Sequence, residues 1–252
     1  MRALHAGEVL RLWDECRDAS PQTRALALAT AADDGTSPVP PADRPVGRVT
    51  ALLLRLRNAL AGPRMAATVG CPGCHGTVEF RATTEALLAL EDEIVDTPPP
   101  LPHGGHEVLW RCPSYRDLQA VAAQPEAEDP EHGALLLLQR CLLSLRQEDG
   151  TAAQSAVDLP DTVRGALTEA MASADPLAEV LVDLRCPDCG YAFTAEFDVA
   201  AFVWAEVESR GRQLLLDIDA LARSYGWSEH EVLALSESRR ASYIRIVTGE
   251  LP

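Results

Sequence analysis

The chain contains no lysine: every one of its strong bases is an arginine. Beside its richness in Ala and Leu, that bias reads as the codon drift of a GC-rich genome. Aromatic residues are scarce, 5% of 252 residues, so Leu, Val and Ala have to fill most of any interior. No apolar run approaches the roughly 20 residues needed to cross a bilayer. The opening stretch MRALHAGEVLRLWDEC carries charge too early and too often for a signal-peptide core. A cytoplasmic protein without membrane contact is therefore expected. Positive charge is also outnumbered, the formal net charge being −16. An acidic surface repels phosphate backbones, so nucleic acid is not an expected partner. There is no glycine-rich phosphate loop, no GxSxG and no HExxH, nor an HxE triplet to serve a zinc deaminase. The chain is not expected to be an enzyme.

What is present is an ordinary globular composition, 47% hydrophobic and 24% charged, long enough to bury a real core. Seven cysteines stand out. In a reducing compartment they read as metal ligands or buried thiols rather than disulfides. Cys16 and Cys141 lie in apolar, helical contexts and read as small buried hydrophobes. Cys112 sits in Arg111-Cys112-Pro113 without a partner at CxxC spacing. The other four form two CPxC pairs, Cys71 with Cys74 and Cys186 with Cys189.

The flanks of the two pairs make an imperfect internal repeat, CPGCHGTVEF against CPDCGYAFTAEF. Each has CPxC, a small residue close behind, and a β-type run ending in Glu-Phe. A CxxC turn curls its backbone around an ion, aiming two thiolates and several N–H groups inward. One such knuckle supplies half of a tetrahedral shell, and two complete it. Pro72 and Pro187 preset the backbone at the turn, and Gly190 suits a positive φ just past the second knuckle. In the first knuckle His75 and Gly76 occupy that stretch, so a turn shifted by one residue is expected there. The reading is one structural Zn²⁺ held by Cys71, Cys74, Cys186 and Cys189, with no coordination position left for water. Between the pairs lie 111 residues, far beyond ordinary ribbon spacing, so the metal has to fasten distant parts of the chain. The competing readings are two redox CxxC motifs, metal-free buried thiols, or His75 in place of one cysteine.

The fold class expected is α+β, predominantly helical. Residues 1–62 form an N-terminal helical region, residues 63–200 a central α+β body with the zinc ribbon, and residues 201–252 a C-terminal helical arm. Val9, Leu10, Leu12 and Trp13 make one helical stripe, and Ser20 with Pro21 opens a second helix. A further helix stops at Gly62-Pro63. The segment DTPPPLPHGGH reads as an exposed loop, which leaves His103, His106 and Glu107 without a metal or acid–base role. Glu91, Asp92, Glu93 and Asp96 read as a solvated helix end. Ser114 and Asp117 make a capping box, and HGALLLLQRCLLSLRQ, apolar nearly all round, reads as a core helix. QEDGTAAQSAVDLPD is a loop. Phe202, Val203, Val207, Leu214, Ile218, Leu221 and Tyr225 recur along one long helix, and Ser228 with Glu231 caps the next. Arg239, Arg240 and Arg245 in the last segment are too few to read DNA, so a helical hairpin for protein docking is expected.

Several segments together resemble a known group. WDEC…SPQTRALALATAA, ALLLRLRNALAGPRM leading into CPGCHGTVEF, and the stretch from FDVAAFVWAEVESRG to SYIRIV are similar to zinc-ribbon proteins of phage-tail-like contractile injection systems. VLWRCPSYRDLQAV looks like the R-x-P-T-x-x-D-L segment of baseplate and tail-assembly proteins, with Ser114 where threonine is usual. The resemblance spans nearly the whole chain. It implies a baseplate component or an assembly factor of the baseplate hub, whose partners are other baseplate or tail proteins. The rival readings are an acidic zinc-ribbon regulator that binds a protein partner and a CxxC thiol-redox protein.

Overall fold

Helices dominate the computed structural model, which describes residues 4–147 and 159–250. Among these residues the strands form three small antiparallel sheets. Helices α1 (Ala6–Cys16) and α2 (Pro21–Ala32) open the chain. The expected stripe holds: Val9, Leu10, Leu12, Trp13 and Cys16 are all buried on α1. Ser20 caps α2 by accepting the Thr23 N–H, with Pro21 in the first turn. Helix α3 (Val46–Ala61) is the most deeply buried of the three and ends at Gly62, whose φ is 80°. Its start, after Pro45, has no side-chain cap of its own. Its free donors are met from far along the chain. The Val46 N–H donates to the Pro113 carbonyl at 3.0 Å and the Gly47 N–H to the Asp175 carboxylate at 2.9 Å.

A hairpin follows, β1 (Arg64–Gly70) with β2 (Thr77–Thr83), in register from Arg64↔Thr83 to Gly70↔Thr77. Far later its counterpart appears, β6 (Leu181–Arg185) with β7 (Ala192–Glu196). Between the hairpins lie α4 (Thr84–Leu88), a three-stranded sheet of β3 (Leu101–His103), β4 (His106–Trp110) and β5 (Leu142–Gln147), and helices α5 (Tyr115–Ala122), α6 (Pro130–Cys141) and α7 (Asp161–Ala174). The chain closes with α8 (Val199–Tyr225), α9 (Glu229–Ala234) and α10 (Glu237–Thr248).

The interior is divided. The larger core draws on α1, α2, α3 and α8, with Met65, Ile94, Tyr115, Leu177, Val180 and Phe197 at its margin. A second core belongs to the inserted segment: Val108, Trp110, Cys112, Cys141, Leu145, Val163, Leu167 and Met171. Residues 201–252, read above as an arm, therefore include a major wall of the first core. Val203, Trp204, Val207, Gly211, Leu214 and Leu221 of α8 are buried. Arg57, 5% exposed on α3, donates twice to Glu206 of α8, at 3.0 Å each. Of the residues expected on the stripe, Tyr225 is exposed and stacks on Trp227 instead.

Two local expectations are overturned. HGALLLLQRCLLSLRQ is not one core helix, because α6 ends at Cys141 and Leu142 continues directly as β5. That strand pairs antiparallel with β4, from His106↔Gln147 to Trp110↔Leu142. Of the described side chains in that segment, Cys141 and Leu145 alone are buried. A run of leucines suits either period, and the open edge of β4 decides for the strand. Likewise, DTPPPLPHGGH is loop only in part. Its end is a two-residue hairpin turn through Gly104 and Gly105, φ 57° and 73°, the geometry that twists antiparallel strands correctly. Of the expected loop QEDGTAAQSAVDLPD, residues 148–158 lie outside the described residues, while Gln147 ends β5 and Asp161 opens α7.

Candidate metal centre

Each CPxC sits in the turn of its own hairpin, and the two turns are built alike. The Cys71 N–H donates to the Gly76 carbonyl at 2.8 Å, and the His75 N–H returns to the Cys71 carbonyl at 2.8 Å. The second knuckle repeats both bonds: Cys186 N–H to Tyr191 O at 2.9 Å, and Gly190 N–H to Cys186 O at 3.0 Å. His75 and Gly190 are thus equivalent, and both take a positive φ, 59° and 73°. The shift by one residue expected for the first knuckle does not occur. Histidine accepts the left-handed conformation there, and it is the one non-glycine among the described residues to do so.

The Glu-Phe pairs that end the two repeats are not equivalent in register. Phe80 pairs with Ala67 within the first hairpin, whereas Glu196 pairs with Leu181 and Phe197 lies beyond its strand. The two phenylalanines nevertheless meet edge to face, centroids 5.5 Å apart. Below the turns, Val78, Val69, Leu184 and Phe193 pack with Cys71 and Cys186 into a small core of their own.

The knuckles face each other. A Cβ on Gly73 would lie 3.1 Å from the Tyr191 ring, and one on Gly76 would lie 3.0 Å from the Asp188 carboxylate. This reciprocal fit brings all four Sγ atoms within 4.8 Å of one another. Cys71 Sγ is 3.7 Å from Cys189 Sγ, and Cys74 Sγ is 3.6 Å from Cys186 Sγ. A tetrahedron of sulfurs with metal bonds of about 2.3 Å has edges of about 3.8 Å, close to the two separations between knuckles of 3.7 and 3.6 Å. The Gly73 N–H approaches Cys71 Sγ at 3.4 Å, offsetting charge on the sulfur. The Cys189 N–H, helped by that of Asp188, lowers the Cys186 thiol to about 7. At Cys74 the Gly76 N–H acts in the same sense but is outweighed by the neighbouring sulfurs, and the thiol rises to about 12. Four thiols this close cannot all ionise unless a cation joins them. The centre can hold a metal ion.

The remaining candidates lie elsewhere. Cys16, Cys112 and Cys141 are buried thiols, and burial pushes Cys112 and Cys141 up to about 12. His103 and His106 face each other across the hairpin tip. Among the described residues, no second group of metal-ligating side chains includes them. Glu91 and Asp96 are not simply solvated: Glu91 pairs with Arg55 and Arg48, and Asp96 receives Arg48 at 2.8 Å. Together they clamp the turn after α4 to α3.

A feature missed in the sequence is what Asp117 does beyond capping. It is 1% exposed and accepts from Arg111 at 2.6 and 2.9 Å, from Arg140 at 3.0 Å and from the Ser114 hydroxyl at 2.7 Å. Burial alone would raise this carboxyl. Arg111 and Ser114 outweigh it and hold the pKa well below the usual carboxylate range. The Arg111…Asp117 motif is therefore a buried ionic joint tying β4, α5 and α6 together. The signal was present as Arg111 six residues before a capping aspartate, but Arg140 is 23 residues away.

No helix of the described residues is long and apolar enough to cross a membrane. Comparison with protein-family models, with curated proteins and with solved structures finds no match to this chain.

Proposed function

We propose that this chain is a non-enzymatic scaffold whose two hairpins are fastened by one structural zinc ion. In this reading it serves as a baseplate component or assembly factor of a phage-tail-like contractile injection system. The observation that carries the metal assignment is the set of four sulfurs brought within 4.8 Å of one another by two facing knuckles. Four thiolates in a tetrahedron suit zinc above the harder divalent ions. With all four positions filled by sulfur, the ion has none left for substrate, so its work is to hold structure. It closes a long excursion of the chain, and zinc coordination contributes about 10–16 kcal/mol to folding in small zinc peptides.

The assembly role is supported by the segments that resemble baseplate-associated proteins. The Arg111-to-Asp117 stretch serves as a structural joint, which suits a protein that works through rigid surfaces. The expected partners are baseplate or tail proteins met in the cytoplasm. Elemental analysis of the purified chain is expected to give one zinc per molecule, and a metal-free protein with two independent disulfides overturns the zinc assignment. For the assembly role, the test is purification of the particle from the native operon. Finding the chain in the finished baseplate, or on a baseplate subcomplex, supports the reading; finding it on neither overturns it.

A further inference from the structure

The two knuckles differ from a sealed site in one respect: each presents one buried and one exposed cysteine. Cys71 and Cys186 are each 1% exposed, while Cys74 and Cys189 are open to solvent. Cys74 lies 3.6 Å from buried Cys186, and Cys189 lies 3.7 Å from buried Cys71. The sulfur of each exposed cysteine therefore lies beside that of the opposite knuckle's buried cysteine. A closed shell gives an oxidant no position on the metal, so attack begins at sulfur, and Cys74 and Cys189 are the two exposed cysteines.

We propose that the centre is a redox-sensitive fastener. A hydroperoxide converts it from metal-linked to disulfide-linked, forming Cys74–Cys186 and Cys71–Cys189 and releasing the ion. The inference rests on the zinc reading above.

The Cys74 thiolate attacks the terminal oxygen of the hydroperoxide; an S–O bond forms and the O–O bond breaks. The departing oxyanion takes a proton from solvent and leaves as alcohol, or as water when the oxidant is hydrogen peroxide. The Cys186 thiolate then attacks the Cys74 sulfur. The S–S bond forms, the S–O bond breaks, and hydroxide leaves and is protonated to water. Two electrons have passed from the two sulfurs to the peroxide. A second hydroperoxide does the same at Cys189, with Cys71 as the resolving thiolate. With all four thiolates consumed, the ion has no ligands and departs. Both bonds run between knuckles, so the hairpins stay joined. Bonds within each CPxC would part them. Tyr191 against Gly73 and Asp188 against Gly76 hold the knuckles face to face for the cross-pairing.

The test uses the full zinc-loaded chain, treated with hydrogen peroxide while a chromophoric chelator reads zinc release. Trypsin then separates the halves: residues 65–81 carry Cys71 and Cys74, and residues 186–210 carry Cys186 and Cys189. One zinc released per two peroxides consumed is expected, with the two peptides joined in a non-reduced digest. The Cys74→Ser variant is expected still to join them, through Cys71 and Cys189. Zinc-bearing protein whose oxidised peptides come apart, or carry sulfinate without a cross-link, overturns this inference and leaves the zinc reading standing. Purified protein without zinc overturns the zinc reading itself, and the redox inference with it.

Discussion

His75 holds a left-handed backbone conformation that its counterpart Gly190 adopts freely, φ 59° against 73°. His75→Gly is expected to stabilise the metal-loaded fold by about 0.5–1 kcal/mol, the relief of strain less the extra chain entropy of glycine. Gly190→Ala is expected to destabilise it by about 1 kcal/mol. Urea denaturation at fixed zinc concentration reads both. The ligands make a sharper test. On the proposed shared zinc site, Cys71→Ser and Cys186→Ser each remove one ligand, so equal loss of zinc and of thermal stability is expected. A loss in one variant alone rules out a shared site. Asp117 sets a pH dependence. Its folded pKa lies below the unfolded value of about 3.9, because Arg111 and Ser114 outweigh its burial. The stability it contributes is complete above that unfolded value and fades as pH falls below it. Asp117→Asn is expected to cost about 2–3 kcal/mol near neutral pH, less than a fully buried pair because Arg111 and Arg140 are about a third exposed. The same variant should show a flatter acid limb in urea denaturation from pH 6 downward. Of these residues, the thiols were readable from CPxC spacing and Ser114–Asp117 from its capping pattern. The role of His75 was not, because a positive φ at histidine is imposed by the hairpin closing around it.

Helix α8 packs against α1 through a glycine. A Cβ on Gly211 would lie 2.8 Å from the Trp13 ring, in a core already filled. Gly211→Ala is expected to destabilise by about 1–3 kcal/mol, the usual range for overpacking, with a lower melting temperature and altered Trp13 fluorescence. Helix α3 depends on distant groups in another way. Its first turn is met by Asp175 and Pro113 rather than by a local cap. Asp175→Ala therefore removes a helix cap and should cost about 1 kcal/mol in the same assay. The capping boxes at Ser114 and Ser228 and the cap at Ser20 were visible along the chain, since capping spans three or four residues. The cap on α3 was invisible for the opposite reason, its partner lying 128 residues away. Strand β5 shows the same limit: the leucine run after Cys141 fits helix or strand, and pairing with β4 settles which.

The four-cysteine cluster lies between two hairpins that both pack against the core shared by α1, α2, α3 and α8, while the inserted segment has a core of its own. Removing zinc with a chelator is expected to speed amide exchange in β1, β2, β6 and β7 by at least tenfold. Exchange in α3 and the middle of α8 should change little, because their burial does not pass through the ion. Uniform loss of protection across all of these elements contradicts that division. The sequence alone determined the helical class, several helix starts, the two knuckles and the four cysteines that cluster, all of which are written in spacings of a few residues. Tertiary structure decided that the knuckles face each other as near copies of one turn, that one cysteine of each pair stays exposed, and that α8 is a wall of the main core. Those outcomes depend on contacts more than a hundred residues apart, whose energies come from which surfaces meet and not from any local pattern.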